Sequence, residues 1–251
     1  LPLPEIKTQN AYNPYSYKKR ESKEILNIGS GNVPVVFADF SEKKNISAVN
    51  IFGFGYNYSA KLDKWNIMDQ AADFVYVGKN KITFELPGTL GVVCDYHNWK
   101  ETYSEKEGYY PLISVEELQE MEHKSVFFLS LLAEQGPPSG LLNYPNAILI
   151  IETPYDNKTQ IFRKFFMDLS MAQIKSPVIL KSASDQQDPE TFQLYSSIDT
   201  GTTLLDGFGD GIWLTGNPSS ALINTSSFGI LQATRTRISK TEYISCPSCG
   251  R

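Results

Sequence analysis

Short blocks of β-branched and aromatic residues alternate along the chain with longer polar blocks in which apolar residues recur every three or four positions. Most of the short blocks are apolar at consecutive positions, as expected of parallel strands covered on both faces. Eight such runs predict strands, at 33–38, 48–54, 72–77, 91–96, 125–131, 147–151, 177–181 and 203–206. Helical periodicity marks 63–71, 114–123, 158–174 and 189–198. Ser114 with Glu117 has capping-box spacing, and Ser219 is placed to cap a further helix running to Arg235. Between 78 and 90 there is only a strand-like stretch at 82–86 before Pro87-Gly88, so one unit is expected to be degenerate. Repeated βα units predict the α/β class and, more narrowly, an irregular TIM-type (β/α)8 barrel, with an open doubly wound sheet as the runner-up.

The prolines of Leu1-Pro2-Leu3-Pro4 and Asn13-Pro14 predict an extended linker over 1–16, because proline fixes φ and restricts the residue before it. The fold is then expected to begin at Tyr17. The opening Leu, with no signal-peptide pattern behind it, reads as an excised piece. A length of 251 residues with 41% hydrophobic and 20% charged residues suits a globular domain. A net charge of −5 offers no basic field for a nucleic acid, and no apolar run approaches the roughly 20 residues of a spanning helix. Three cysteines are too few and too odd for a disulfide framework. The expectation is a protein of a reducing compartment, cytoplasm or plastid stroma, with neither nucleic acid nor membrane as partner.

In a barrel the strands' carboxyl ends carry the chemistry. Asp39, Asp95, Glu152, Lys181 and Asp206 are expected there. Lys181, after Pro-Val-Ile-Leu, could serve as a Schiff-base lysine with carboxylates as proton shuttles; such charges also ring the rim of any barrel. Asp206-Gly207-Phe208-Gly209-Asp210-Gly211 could present backbone N–H groups to a phosphate, or form a tight turn requiring positive φ. Ile212 and Asn217 do not fit a calcium loop, and no dinucleotide or Walker motif occurs. His97 and His123 stand in no triad-like pattern, and Cys94 reads as a core residue. Cys246 and Cys249 form a CxxC pair, which could hold zinc, shuttle a disulfide or supply two thiolates to an iron–sulfur cluster.

The stretches Leu222-Ile223-Asn224-Thr225-Ser226-Ser227-Phe228-Gly229-Ile230-Leu231-Gln232, Arg235-Thr236-Arg237 and Lys240 through Cys246-Pro247-Ser248-Cys249-Gly250-Arg251 together resemble hydroxymethylbutenyl diphosphate synthases of the non-mevalonate isoprenoid pathway. Thr203 to Gly211 adds to a resemblance that is specific to the long, three-domain form. The resemblance implies a catalytic barrel, an inserted second barrel and a C-terminal domain with a 4Fe–4S cluster held by three cysteines and a glutamate. This chain would be the inserted barrel, 17–238, followed by the start of the cluster domain, 239–251. The implied reaction reductively opens 2-C-methyl-D-erythritol 2,4-cyclodiphosphate to 4-hydroxy-3-methylbut-2-enyl diphosphate with electrons from ferredoxin or flavodoxin. Cys246 and Cys249 match the first two cluster ligands. The other ligands and the catalytic residues would lie elsewhere, so no catalytic residue, no complete cluster and no turnover are expected of this stretch alone. The inserted barrel would then act as a spacer between the two working domains. Two other readings stay open: an independent barrel lyase using Lys181, and a zinc-binding interaction module built on Cys246 and Cys249.

Overall fold

A computed structural model describes residues 16–43 and 45–241. Ten strands form: β1 Val35–Asp39, β2 Tyr56–Ser59, β3 Lys64–Ile67, β4 Phe74–Gly78, β5 Gly91–Asp95, β6 Tyr109–Ile113, β7 Phe127–Leu132, β8 Ala147–Glu152, β9 Val178–Ser184 and β10 Gly211–Gly216. Eight of them pair in parallel around a closed barrel in the order β1-β10-β9-β8-β7-β6-β5-β4, while β2 and β3 make a separate antiparallel hairpin. Closure between β1 and β4, with Phe37 beside Phe74, rules out the open-sheet alternative.

Strand number matched expectation, but membership did not. The run at 48–54 is largely helix α1, Ala48–Phe52, because Asn50 Oδ1 accepts from the Ser47 N–H at 2.8 Å and fixes a helical first turn. The run at 203–206 coincides with α5, Thr202–Leu205, which continues α4, Pro189–Ser196, through a π turn at Ser197–Gly201. Thr200 and Thr202 donate their hydroxyls to carbonyls four residues back, at 2.8 and 2.6 Å, which accommodates β-branched residues in a helix. Two strands of the barrel were not foreseen, nor was the hairpin. β6 carries Pro111, which reads as a strand breaker, and β10 opens on a glycine-rich turn. The expected helix at 63–71 is instead β3 and its connection, with Tyr58 paired opposite Trp65.

Other expectations held. Helix α3, Lys158–Met171, and α4 occupy the 158–174 and 189–198 stretches. Ser219 Oγ accepts from Leu222 N–H at 3.3 Å to cap α6, Ser220–Ala233. At 114–123 only a 3₁₀ segment, Glu116–Glu120, forms, although Glu117 does accept from the Ser114 N–H at 2.7 Å. The stretch between β4 and β5 has no helix or strand, as its degenerate pattern suggested, and 82–86 forms no strand. A short helix α2, Tyr96–Asn98, runs on into a π turn at Trp99–Tyr103.

Alternate residues of the strands fill the barrel. Phe37 stacks on Phe74 at 5.1 Å and on Trp213 at 5.3 Å, and Phe128 meets Phe37 edge-on at 5.5 Å. Gly211 leaves room for them: a Cβ there would stand 2.6 Å from both Ile179 Cδ1 and Val35 Cγ2. At the barrel's amino end, Ile25 and Ile28 join this cluster from a tight hairpin closed by mutual backbone hydrogen bonds of 3.0 and 2.8 Å. Its central residues, Leu26 and Asn27, both take positive φ. Burying apolar surface in the barrel base offsets the ~1–2 kcal/mol that a left-handed leucine costs.

Candidate functional site

At the carboxyl end of the barrel, the last inward-facing layer brings together Asp39, Tyr76, Asp95, Glu152, Lys181 and Trp213 from six strands. Four of the five predicted rim residues are therefore neighbours. Asp39, Tyr76, Glu152 and Lys181 border a cleft of about 520 Å³ shared with Ser41 and Thr215. Trp213 Nε1 donates to Asp39 Oδ2 at 3.1 Å, and Tyr76 OH donates to Asp95 Oδ1 at 2.5 Å. Lys181 Nζ sits 2.9 Å from Glu152 Oε2 and 4.8 Å from the centre of the Trp213 ring. Each donor thus has its own carboxylate, and the lysine lies between its carboxylate partner and the face of the indole ring. Burial, then the hydrogen bond to Asp95, drives the Tyr76 phenol far above its ordinary value. It is a fixed donor rather than a base. The layer closes the top of the aromatic core with matched polar pairs.

Asp206 lies away from this mouth. It ends α5 and binds Arg163 through both oxygens, at 2.5 and 3.2 Å. The glycine turn that follows precedes β10 instead of following a strand, so it lies at the barrel's amino end and not among the loops of the mouth. The tight-turn reading is the one realised: Gly207 and Gly209 have φ of +83° and +97°, and a Cβ on Gly207 would come within 2.6 Å of Lys18 O. Asp210 serves the fold there, accepting from Ser22 Oγ at 2.7 Å and from Val178 N–H at 3.0 Å. Burial pushes its carboxyl upward against those two hydrogen bonds.

Two polar clusters carried no signal in the sequence, because their members are far apart along the chain. Lys158 Nζ donates to Asp199 Oδ2 at 2.7 Å, Ser182 Oγ at 3.0 Å and Ala183 O at 3.0 Å, using all three donors to tie α3 to β9 and the π turn. Arg237 binds Asp73 through both nitrogens, at 2.6 and 3.2 Å, donates to Pro34 O at 3.1 Å and lies 4.9 Å over the Phe228 ring. Arg237 belongs to one of the stretches that carry the family resemblance, and its partners make it a structural clamp across the starts of β1 and β4.

Cys94 is fully buried on the outer side of β5, and burial, then Asp95, pushes its thiol up to about 12. It is a core residue. His97 lies exposed in the short helix α2, with Nε2 3.9 Å from Glu117 Oε1, and His123 Nδ1 is 3.1 Å from Asn143 O. Among the described residues no group of three His, Cys, Asp or Glu could hold a metal ion, and no helix is long and apolar enough to cross a membrane. Cys246 and Cys249 lie outside the described residues.

No protein-family model matches the chain. Curated relatives do. A protein of Parabacteroides distasonis is 33% identical over 239 residues, which cover 93% of this chain and 35% of the relative. One from Phocaeicola vulgatus is 28% identical over 247 residues, covering 96% of this chain and 36% of the relative. In a Porphyromonas gingivalis protein 107 residues, 42% of this chain and 18% of the relative, are 44% identical. All three are named 4-hydroxy-3-methylbut-2-en-1-yl diphosphate synthase (flavodoxin). The chain spans about a third of the length of the first two. It belongs to the family of 4-hydroxy-3-methylbut-2-en-1-yl diphosphate synthases, of whose members it represents one barrel-forming portion.

Proposed function

We propose that this chain is the inserted second barrel, 17–238, of a long-form synthase that reductively opens 2-C-methyl-D-erythritol 2,4-cyclodiphosphate, followed at 239–251 by the start of its cluster domain. Residues 1–16 are the linker from the preceding catalytic barrel. The observation that carries this reading is the near-complete coverage of the chain by synthases nearly three times its length. The relatives' name favours flavodoxin over ferredoxin as the source of the two electrons that expel the ring oxygen. The protein works in the cytoplasm, with neither nucleic acid nor membrane as a partner.

A 4Fe–4S cluster would supply the electron transfer of that reaction. The described residues do not fit one: Cys94 is buried with a raised thiol, and no group of three His, Cys, Asp or Glu among them could hold a metal ion. Cys246 and Cys249 are therefore the two thiolates assigned to it, the remaining ligands coming from beyond this stretch. No step of the reaction is assigned to the barrel. Its mouth supports a positioning role, because each donor there is already matched to a carboxylate and the ammonium of Lys181 is held by Glu152 and Trp213.

Deleting residues 17–238 from the full-length synthase is expected to abolish turnover while leaving the cluster's iron content near four per chain. Undiminished turnover in the deletion variant would overturn the positioning role. For the 251-residue chain alone, anaerobic reconstitution should leave iron well below stoichiometric; a full complement of iron would overturn the assignment of the missing ligands to other parts of the protein.

A further inference from the structure

The first βα unit lacks a long helical segment of the kind that follows β8, β9 and β10. In its place stand α1 and the β2–β3 hairpin, whose strands have four residues each and pair only with one another among the described residues. Such a hairpin has little stability of its own. Its aromatic side, with Tyr58 and Trp65 opposed at 5.2 Å, borders a groove of about 530 Å³ together with Ile67, Phe84 and Leu86. Tyr58 remains 42% exposed, Ile67 53% and the adjoining Met68 44%. These apolar side chains are partly uncovered, beside Asp63, Lys64 and Glu85, which also line the groove.

The path of the chain indicates what covers it. After α6, Thr234, Thr236 and Arg237 fold back on the helix's last carbonyls, and the Arg237–Asp73 clamp pulls the backbone across the start of β4. Ser239 then meets Gln70, whose Nε2 donates to it at 3.3 Å, and Gln232 holds Ser239 and Lys240 from the other side. Gln70 is two residues from Met68. The last described residues therefore leave the barrel beside the hairpin, pinned by a bidentate ion pair. About two-thirds of each of these relatives lies outside the part that this chain covers.

We infer that the groove of Tyr58, Trp65, Ile67, Phe84 and Leu86 is the seat of the polypeptide that follows this chain in the longer protein. The inference rests on the reading above that such a continuation exists. A second apolar stripe, Leu194, Ile198 and Leu205 along α4 and α5, has no comparable link to the chain's path. Docking at the hairpin would complete the cover of the first unit and fix the continuation against the barrel, as a spacer must.

Hydroxyl-radical footprinting of Tyr58 and Met68 tests this, comparing the full-length protein with the 251-residue chain, whose barrel closes from its own strands. Both residues should be modified at least about fivefold more slowly in the full-length protein, because a packed interface excludes solvent. Equal rates in the two proteins would overturn the docking surface while leaving the synthase reading intact. Protection that instead appears in the 251-residue chain as its concentration rises would give the groove to a second copy and overturn the proposed occupant. A natural protein that ends with this chain would refute the synthase reading itself, before any footprint is compared.

Discussion

The barrel covers its strands in two different ways. From β8 to β10 each strand is followed by a continuous helical segment: α3 buries Ile161, Phe162, Phe165, Phe166 and Leu169, and α6 buries Ile223, Phe228, Ile230 and Leu231. From β1 to β7 the cover is made of pieces: a five-residue helix burying only Ile51, a hairpin, an irregular stretch, a π turn and 3₁₀ segments. A long amphipathic helix places one continuous apolar stripe on the sheet, whereas short pieces place isolated side chains whose surroundings relax more easily. The described residues also end on the irregular side, with Ser239 against Gln70.

Matched leucine truncations break or sharpen this contrast most strongly. Leu169→Ala, under the long helix α3, should cost about 4 kcal/mol in urea unfolding, and Leu118→Ala, under the 3₁₀ segment, about 2 kcal/mol, because a loosely held site collapses onto the cavity. Equal costs would mean that both halves are packed alike.

Smaller by about 1 kcal/mol is the effect expected at the Lys158–Asp199 pair, which ties the helical half together with side chains only 14% and 11% exposed. Asp199→Ala should destabilise by about 3 kcal/mol, since it strands a buried ammonium, and the double change Lys158→Met with Asp199→Leu should regain most of that loss. A double variant no more stable than the single one would show that the pair's geometry, and not its charge balance, holds the segment.

At the helix ends the contrast is finer. Ser219→Ala removes the side-chain cap of α6 and should lower stability by about 1 kcal/mol. The mildest test leaves stability untouched. With its thiol pushed up to about 12 by burial, Cys94 should react with a thiol reagent at pH 7 on the order of a thousandfold more slowly than an exposed cysteine. Fast labelling of folded protein would reveal that the pieced-together cover around β5 opens locally.

Legibility in the sequence follows the same division. Six of the barrel strands and the long helices announced themselves, because Val, Ile, Leu and Phe there form uninterrupted runs or a clean helical period. The misassignments cluster where a local device overrides propensity: Ser47 with Asn50 turns a β-branched run into α1, and the threonine hydroxyls hold 200–205 helical. β10 was hidden behind its glycines, and with it went the true position of the Asp206 to Gly211 turn. Of the predicted rim, Asp39, Asp95, Glu152 and Lys181 were correctly placed together; Trp213 and Tyr76, which donate to Asp39 and Asp95, looked like ordinary core aromatics.

Sequence alone determined the α/β alternation, the eight-strand barrel and the family resemblance, because these rest on periodicity and on contiguous residues. Tertiary structure decided which eight segments became strands, that Lys181 pairs with Glu152, and that Arg237 clamps Asp73 across 164 residues of chain. The Lys181–Glu152 pair joins the neighbouring strands β9 and β8, whereas the Arg237 clamp depends on closure of the barrel, which brings β1 beside both β4 and β10, and the order of residues along a chain carries no trace of a contact made only when its ends meet.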